Sequence, residues 1–385
     1  MIRDTTRVER LLADIRRFVR EVAIPHEDRV EREDRIPEED IAAMRKLGTY
    51  GWSIPEAYGG AGLSTEELAL AFIELSQCSV AYRVHGATNA GIGSEAIIQD
   101  GTEEQKRKYL PRLASGELLG CLALTEPEAG SDATALQTSA VKENGGDGDH
   151  YVLNGTKCYI TLAPVAGLFQ VFARSDAANK GAGGVSAFLI ERGTPGLSTG
   201  NSTPKMGQEG APIGEVHLRD CRVHASAIIG GEPGRGFKTV MKVLNKQRVN
   251  LAALCTGPAI RMLDDAVAYA RQRKQFGKAI GDFQLVQAML AESKIEIEAA
   301  RALILETARK RDRGEDVTLD VSMCKYYATE MCGRVADRVV QVFGGQGYVK
   351  GRGIERFYRD VRAFRIYEGT SQIHLLNIAK HLLKK

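Results

Sequence analysis

The sequence contains no apolar run approaching the roughly 18 residues that a membrane span requires, so a membrane protein is not expected. It has no excess of either charge: 52 Lys and Arg stand against 49 Asp and Glu. The signs are interleaved along most of the chain, which leaves no basic face for nucleic acid or for a membrane surface. There is no CxxC pair, and the cysteine count is odd. Cys78, Cys121, Cys158, Cys221, Cys255, Cys324 and Cys332 are scattered, the pattern of packed, reduced thiols in a cytoplasmic protein. His26, His85, His150, His217, His224, His374 and His381 show no paired ligand spacing, so no metal site is expected and packing or surface roles are. The arginines near the start, Arg3, Arg7, Arg10, Arg16 and Arg17, are mixed with Asp4, Glu9 and Asp14. Organelle presequences are poor in acids, so a helix is expected there instead.

What is present suggests several units, because 385 residues exceed the roughly 250 to 300 at which a single core stops growing. Val8, Leu11, Leu12, Ile15, Phe18, Val19 and Val22 recur at three- and four-residue steps, one buried stripe of an amphipathic helix. Helical texture continues to about residue 120, interrupted by glycines 59, 60 and 62 and by Gly101 before a polar helix start at Thr102. From Cys121 to about Val223 short β-like runs take over. Tyr151 to Leu153 and Lys157 to Ile160 flank Asn154-Gly155, a dipeptide suited to a hairpin turn. After Gly236 long periodic stretches near 237–271, 283–312, 318–343 and 370–384 fit a four-helix bundle. The expected units are residues 1–120, 121–232 and 233–385, arranged as separate layers, not wound as βαβ.

Five short segments carry chemical potential, each with a bland alternative. Thr125-Glu126-Pro127-Glu128-Ala129-Gly130-Ser131-Asp132 is either a polar turn or a loop whose amides and hydroxyls approach a ligand. In Lys157-Cys158-Tyr159-Ile160-Thr161 an aromatic and a hydroxyl two residues apart share one strand face, as a packed pair or as a wall for a planar cofactor. Arg271 to Gly277, followed by Gln284, is a helix end that complements the helix dipole or grips a pyrophosphate. Gln341 to Gly347 reads as a helix stop with an αL glycine, or as bare backbone for a ligand. Tyr367-Glu368-Gly369-Thr370-Ser371-Gln372 places an acid before a helix cap, either for the helix N-terminus or as a base in a desolvated cleft.

Taken together and in this order, the five segments resemble the acyl-CoA dehydrogenase family, with its TEPxAGSD, K-x-[WY]-I-T, R-x-x-F-G, Q-x-x-GG-x-G and YEGT-x-Q motifs, over nearly the whole chain. The resemblance implies an acyl-CoA dehydrogenase fold: an N-terminal all-α domain, a middle β-barrel and a C-terminal four-helix bundle. It implies FAD between barrel and bundle, and a homotetramer built as a dimer of dimers. By matching positions Leu122, Leu124, Thr125, Ser131, Tyr159, Ile160 and Thr161 would face the flavin. Arg273, Phe276, Gln284, Gln341, Gly344 and Gly345 would receive the pyrophosphate and adenosine from across the dimer, with Thr370 and Gln372 on the cofactor's other side. Ser131, Asn245, Gln247, Arg248 and Gly369 match positions around the CoA thioester, and Glu368 matches the catalytic base. The implied reaction removes an α-proton through Glu368 and transfers a β-hydride to flavin, giving trans-2-enoyl-CoA, with electrons passed to an electron-transfer flavoprotein.

Several positions depart from the commonest pattern. Tyr159 replaces a frequent tryptophan, and Leu162-Ala163 replace Asn-Gly, so a different loop is expected there. One branch takes its base from the position of Gln247, and glutamine cannot serve. Arg83 resembles the arginine that holds the distal carboxylate in glutaryl-CoA dehydrogenases and that also occurs in sulfinopropionyl-CoA desulfinases. Two readings follow: a substrate with a terminal acid, or a surface or structural arginine paired with a helix acid. An acyl-CoA oxidase, a desulfinase-like enzyme and a non-catalytic acyl-CoA-binding scaffold are the alternatives to a dehydrogenase.

Overall fold

The computed structural model describes residues 1–145 and 148–384. The N-terminal stripe forms α1 (Thr5–Phe18), which buries Val8, Ile15 and Phe18 and runs through one π-helical turn (Val19–Ala23) into α2 (Ile24–Glu33). α3 (Glu38–Leu47), α4 (Thr65–Leu75), α5 (Val80–Asn89), α6 (Glu95–Asp100) and α7 (Glu103–Ala114) complete this layer. α4 and α7 both start on reciprocal caps, Ser64 with Glu67 and Thr102 with Gln105, which satisfy two otherwise unpaired N–H groups each.

The chain then forms β1 (Gly120–Ala123), β2 (Ser139–Gly145), β3 (Gly148–Thr161), β4 (Leu168–Arg174), β5 (Val185–Glu191), β6 (Leu197–Thr199) and β7 (Ile213–His224). They make a curled seven-stranded sheet in the order β1-β4-β2-β3-β7-β6, with β5 also on β4. Asn154-Gly155 is not the hairpin turn. β2 pairs antiparallel with β3 from Ser139 opposite Asn154 to Gly145 opposite Gly148, and β3 runs straight through the dipeptide. The register instead shifts there, between Leu153 and Gly155, where the Asn154 amide exchanges hydrogen bonds with the Asp220 carboxylate (3.1 Å) and N–H (2.8 Å). Glycine is required because a Cβ at 155 would lie 2.4 Å from Thr138 Oγ1. The small flexible residues that suit a turn also suit a bulge.

α8 (Gly236–Gln272), α9 (Gln284–Asp312), α10 (Thr318–Phe343) and α13 (Ser371–Leu382) are the four long helices. Between the last two lie the single turn α11 (Gly345–Tyr348) and α12 (Ile354–Val361). α8 and α10 bury the widest faces, and Val249, Ala252, Met262, Met331, Val335 and Val339 join one core with α4 and α5. α13 buries only Ser371 and His374. All seven cysteines are free and buried. No described helix is long and apolar enough to cross a membrane.

Candidate active site

Two buried charges fix the loop that follows β1. The Lys157 ammonium, fully buried, donates to Glu126 Oε1 at 2.8 Å and to the Leu124 carbonyl at 3.1 Å. Glu126 also accepts the backbone N–H groups of Gln137 (2.5 Å) and Thr138 (2.9 Å). Burial pushes the Glu126 carboxyl up, but Lys157 and the backbone donor outweigh it and hold it below the usual carboxylate range. For Lys157 burial dominates and lowers the ammonium to about 8, against the pull of Glu126. The Cys158 N–H donates to the Thr125 carbonyl at 2.9 Å, so the structure brings the 122–125 segment against 157–161. Leu122, Leu124 and Thr125 are half-buried, whereas Ser131 is exposed.

Tyr159 and Thr161 do not sit as a simple strand pair. A second register shift, between Lys157 and Ile160, leaves Tyr159 at φ 57°. Its ring stands out at 69% exposure while Ile160 turns inward and Thr161 is half-buried. Leu162 follows at φ 61°, fully buried, with its N–H on the Pro212 carbonyl at 2.8 Å. An exposed aromatic face, two threonine hydroxyls and bare backbone fit a planar heteroaromatic ring such as flavin.

Glu368 lies in the turn before α13. It and Gly369 take consecutive left-handed conformations, at φ 55° and 94°. Thr370 caps α13, accepting the Ile373 N–H at 3.3 Å, and Gln372 is exposed. Glu368 Oε2 is buried with no hydrogen-bond partner, and no described acceptor takes its backbone N–H. Burial raises the proton affinity of this carboxyl. Lys325, Arg248 and Arg83, in that order, pull it back.

Those three cations come from three helices. Arg248, on α8, is buried, donates to Asn245 Oδ1 at 3.0 Å and leaves its Nε unpaired. Its neighbour Gln247 is also buried and accepts from Asn250 at 3.1 Å. Arg83, on α5, is not a surface residue: it is 6% exposed, and among the described residues no carboxylate lies within 4.0 Å of it. Every residue of α5 is buried, so the helix has no surface on which to pair. Its guanidinium meets the Tyr367 hydroxyl and lies over the Phe364 and Tyr367 rings, 5.0 and 5.8 Å from their centroids. Its Nε has no partner.

The remaining matched positions lie on the outside of the chain. Arg273 ends α8 and leads into a two-residue hairpin (Lys274–Gln275 with Lys278–Ala279) that carries Phe276 at 93% exposure. Gln284 opens α9, also exposed. Gln341 lies in the last turn of α10, Gly344 caps it and Gly345 opens α11, and Gly344 (φ 59°, ψ −138°) is not the αL glycine of a common helix stop. Nothing lies within 4 Å of a Cβ built at Gly344 or Gly345. Tyr269 and Phe343 stack with centroids 4.2 Å apart and join these two exposed ends. Among the described residues no hydrogen bond or ion pair links this set, or Ser131, to Glu368.

Sequence reasoning missed Lys325 and His374. His374 is fully buried, and its Nε2 lies 3.2 Å from the Glu368 carbonyl. Burial, then Arg248 and Lys325, lower its pKa to about 3, so the ring is neutral and Nε2–H is the donor. The signal available for Lys325 was its place on the buried stripe of α10, between Val321 and Ala328. Among the described residues no cluster of three or more His, Cys, Asp or Glu could hold a metal.

The chain matches three family models: the N-terminal domain of acyl-CoA dehydrogenase over residues 5–117, the middle domain over 121–221 and the C-terminal domain over 234–383. It is 39% identical to an acryloyl-CoA reductase (NADH) of Anaerotignum propionicum over 99% of this chain and 95% of the relative. The structure of butyryl-CoA dehydrogenase from Megasphaera elsdenii superimposes with a TM-score of 0.93 at 35% identity, covering 100% of both chains. That of a glutaryl-coenzyme A dehydrogenase in complex with glutaryl-CoA does so with a TM-score of 0.92 at 36% identity, covering 100% of this chain and 96% of the other. On this fold and these matches, the chain belongs to the acyl-CoA dehydrogenase family of FAD-dependent oxidoreductases.

Proposed function

We propose that the protein interconverts an acyl-CoA thioester and its trans-2-enoyl-CoA, with Glu368 exchanging the α-proton. The carrying observation is the buried, unpartnered Glu368 Oε2, whose proton affinity is raised by burial while three cations keep ionisation within reach. FAD, when bound, supplies the hydride acceptor. Leu122, Leu124, Thr125, Ser131, Tyr159, Ile160 and Thr161 would hold its ring, with Thr370 and Gln372 on the other side. The free backbone N–H of Glu368 would donate to the thioester carbonyl as negative charge develops on it. Ser131, Asn245, Gln247, Arg248 and Gly369 would line the thioester arm. Exposure of Arg273, Phe276, Gln284, Gln341, Gly344 and Gly345 on the single chain supports their meeting the cofactor of a second copy, in a dimer of dimers. Electron-transfer flavoprotein is the proposed acceptor.

A base works only when ionised, so kcat/KM should rise with pH through an acid limb centred above the ordinary glutamate value of about 4.3. Rate measurements with a dye acceptor between pH 4 and 9 check this, and a limb at the ordinary value counts against the assignment.

Arg83 supports a finer reading. A buried guanidinium that meets a phenol and two aromatic rings, with no carboxylate within 4.0 Å among the described residues, lacks a directly paired anion to offset its desolvation, and an acyl group ending in an acid would supply one. Glutaryl- or succinyl-CoA should therefore bleach the flavin with kcat/KM about tenfold or more above butyryl- and octanoyl-CoA, a difference of roughly 1.4 kcal/mol or more. Arg83→Leu should reverse that order. Preference of the parent enzyme for plain chains discards the terminal acid.

The reductive direction has its own support, the likeness to an acryloyl-CoA reductase. A carboxyl of raised proton affinity serves equally as the acid that protonates Cα. Comparing butyryl-CoA plus oxidised dye with crotonyl-CoA plus reduced dye gives the working direction. Peroxide formation in air would assign an oxidase instead, and sulfite release a desulfinase.

A further inference from the structure

The turn that carries Glu368 is held at both of its carbonyls by buried side chains from different helices. His374, on α13, donates to the Glu368 carbonyl at 3.2 Å, and Lys325, on α10, donates to the Gly369 carbonyl at 2.7 Å. Two consecutive left-handed residues, one of them a glutamate, persist only where the surroundings impose them. Lys325 is fully buried among apolar neighbours on its own helix, with Val321, Ala328 and Cys332 at the adjoining stripe positions. Such an ammonium is expensive unless it is used. Among the described residues no carboxylate lies within 4.0 Å of it. Its hydrogen bond is to a peptide carbonyl, and Glu368 is one of two carboxylates whose charge it feels.

We propose that Lys325 is a positioning residue for the reaction: it fixes the Glu368–Gly369 turn through the Gly369 carbonyl, and its buried positive charge favours the carboxylate form of the base. This inference rests on the reading of Glu368 as the base. The charged and titratable groups around the pair come from every packed element. They are Arg83 from α5, Arg248 and Cys255 from α8, Glu330 from α10, Tyr367 from the turn and the neutral His374 from α13. Burial lowers the Lys325 ammonium to about 8, so near neutral pH it still carries its proton. His374 adds no charge to the balance, and Arg248 and Arg83 remain when Lys325 is removed.

Lys325→Met keeps the length of the side chain and removes both donor and charge. In the FAD-loaded enzyme the acid limb of kcat/KM should move to higher pH by about one unit, the tenfold change that one pKa unit represents. kcat at pH 7 should fall by about tenfold or more, with KM changing less, because Lys325 positions the base and does not bind the substrate. Lys325→Arg should return the limb toward its original place. A lysine with a merely structural role would lower thermal stability and leave the limb of the remaining activity in place. A wild-type limb in folded, FAD-loaded Lys325→Met therefore overturns the proposal. Should that variant not fold, Lys325→Gln, which keeps a donor and removes the charge, decides: a limb displaced to higher pH supports the proposal, and a wild-type limb overturns it. Retained activity in Glu368→Gln would overturn the assignment of the base, whereas an inactive Glu368→Gln beside an unaffected Lys325→Met overturns only the role of Lys325.

Discussion

Glu368→Gln should bind FAD normally and lose turnover by roughly 10²- to 10⁴-fold, the range that a positioned general base contributes. Glutamine has nearly the same shape, so the left-handed turn, the His374 and Lys325 hydrogen bonds to its carbonyls and the Thr370 cap all persist. What disappears is the carboxylate of the turn, the group placed to accept the α-proton. Arg83, Arg248 and Lys325 are cations, the Tyr367 phenol is pushed well above its ordinary pKa by burial, and His374 is pushed far below its own. Glu368→Asp separates charge from reach. It keeps the carboxylate but withdraws it by one methylene, and a misplacement of about 1 Å can cost 10²-fold. The measurement is single-turnover bleaching of flavin absorbance by an acyl-CoA, beside the spectrum of the resting enzyme. Bleaching by Glu368→Gln at the parent rate would remove Glu368 from the mechanism.

The chain's layers were legible because each rests on a periodicity. The stripe Val8, Ile15, Phe18 and the long repeats after residue 236 describe helices whose buried faces the structure reproduces. The two bulges of β3 were not legible. Asn154-Gly155 has the chemistry of a turn, and only the partner strand, through Asp220 and Thr138, decides that it is an irregularity within one strand. Nor could alternation along β3 reveal that Tyr159 stands free while Ile160 turns inward, since a bulge resets the parity of every residue after it. Arg83 fails for a related reason. The helix Val-Ala-Tyr-Arg-Val-His-Gly-Ala-Thr-Asn carries enough polar residues to suggest a solvated face, yet all ten are buried, because neighbouring layers cover it on every side. Burial of a polar helix is a tertiary fact. The two buried lysines show what remained readable: Lys325 interrupts an apolar helical stripe, and Lys157 shares a motif with the residues its ammonium organises.

Lys157→Met should be the most damaging single change outside the turn of the base. Lys157 and Glu126 are both buried, and they belong to different segments, the end of β3 and the loop after β1. Removing one partner of such a pair leaves a charge without compensation, typically at a cost of about 3 to 5 kcal/mol. Here the lower end applies, because the backbone N–H groups of Gln137 and Thr138 still solvate the Glu126 carboxylate. The same loss frees the Leu124 carbonyl and loosens the stretch that carries Leu122, Leu124 and Thr125. If that stretch holds the flavin ring, about 3 kcal/mol taken from the bound state weakens FAD binding by roughly 150-fold. Lys157→Met should therefore purify largely colourless, with a lowered thermal midpoint that added FAD raises. Lys157→Met combined with Glu126→Gln removes the stranded charge as well, and it should recover part of the stability lost in the single variant, which a double-mutant cycle measures directly. A yellow Lys157→Met protein with an unchanged midpoint would mean that the pair is solvated after all and that the loop is held by the backbone bond between Cys158 and Thr125 alone.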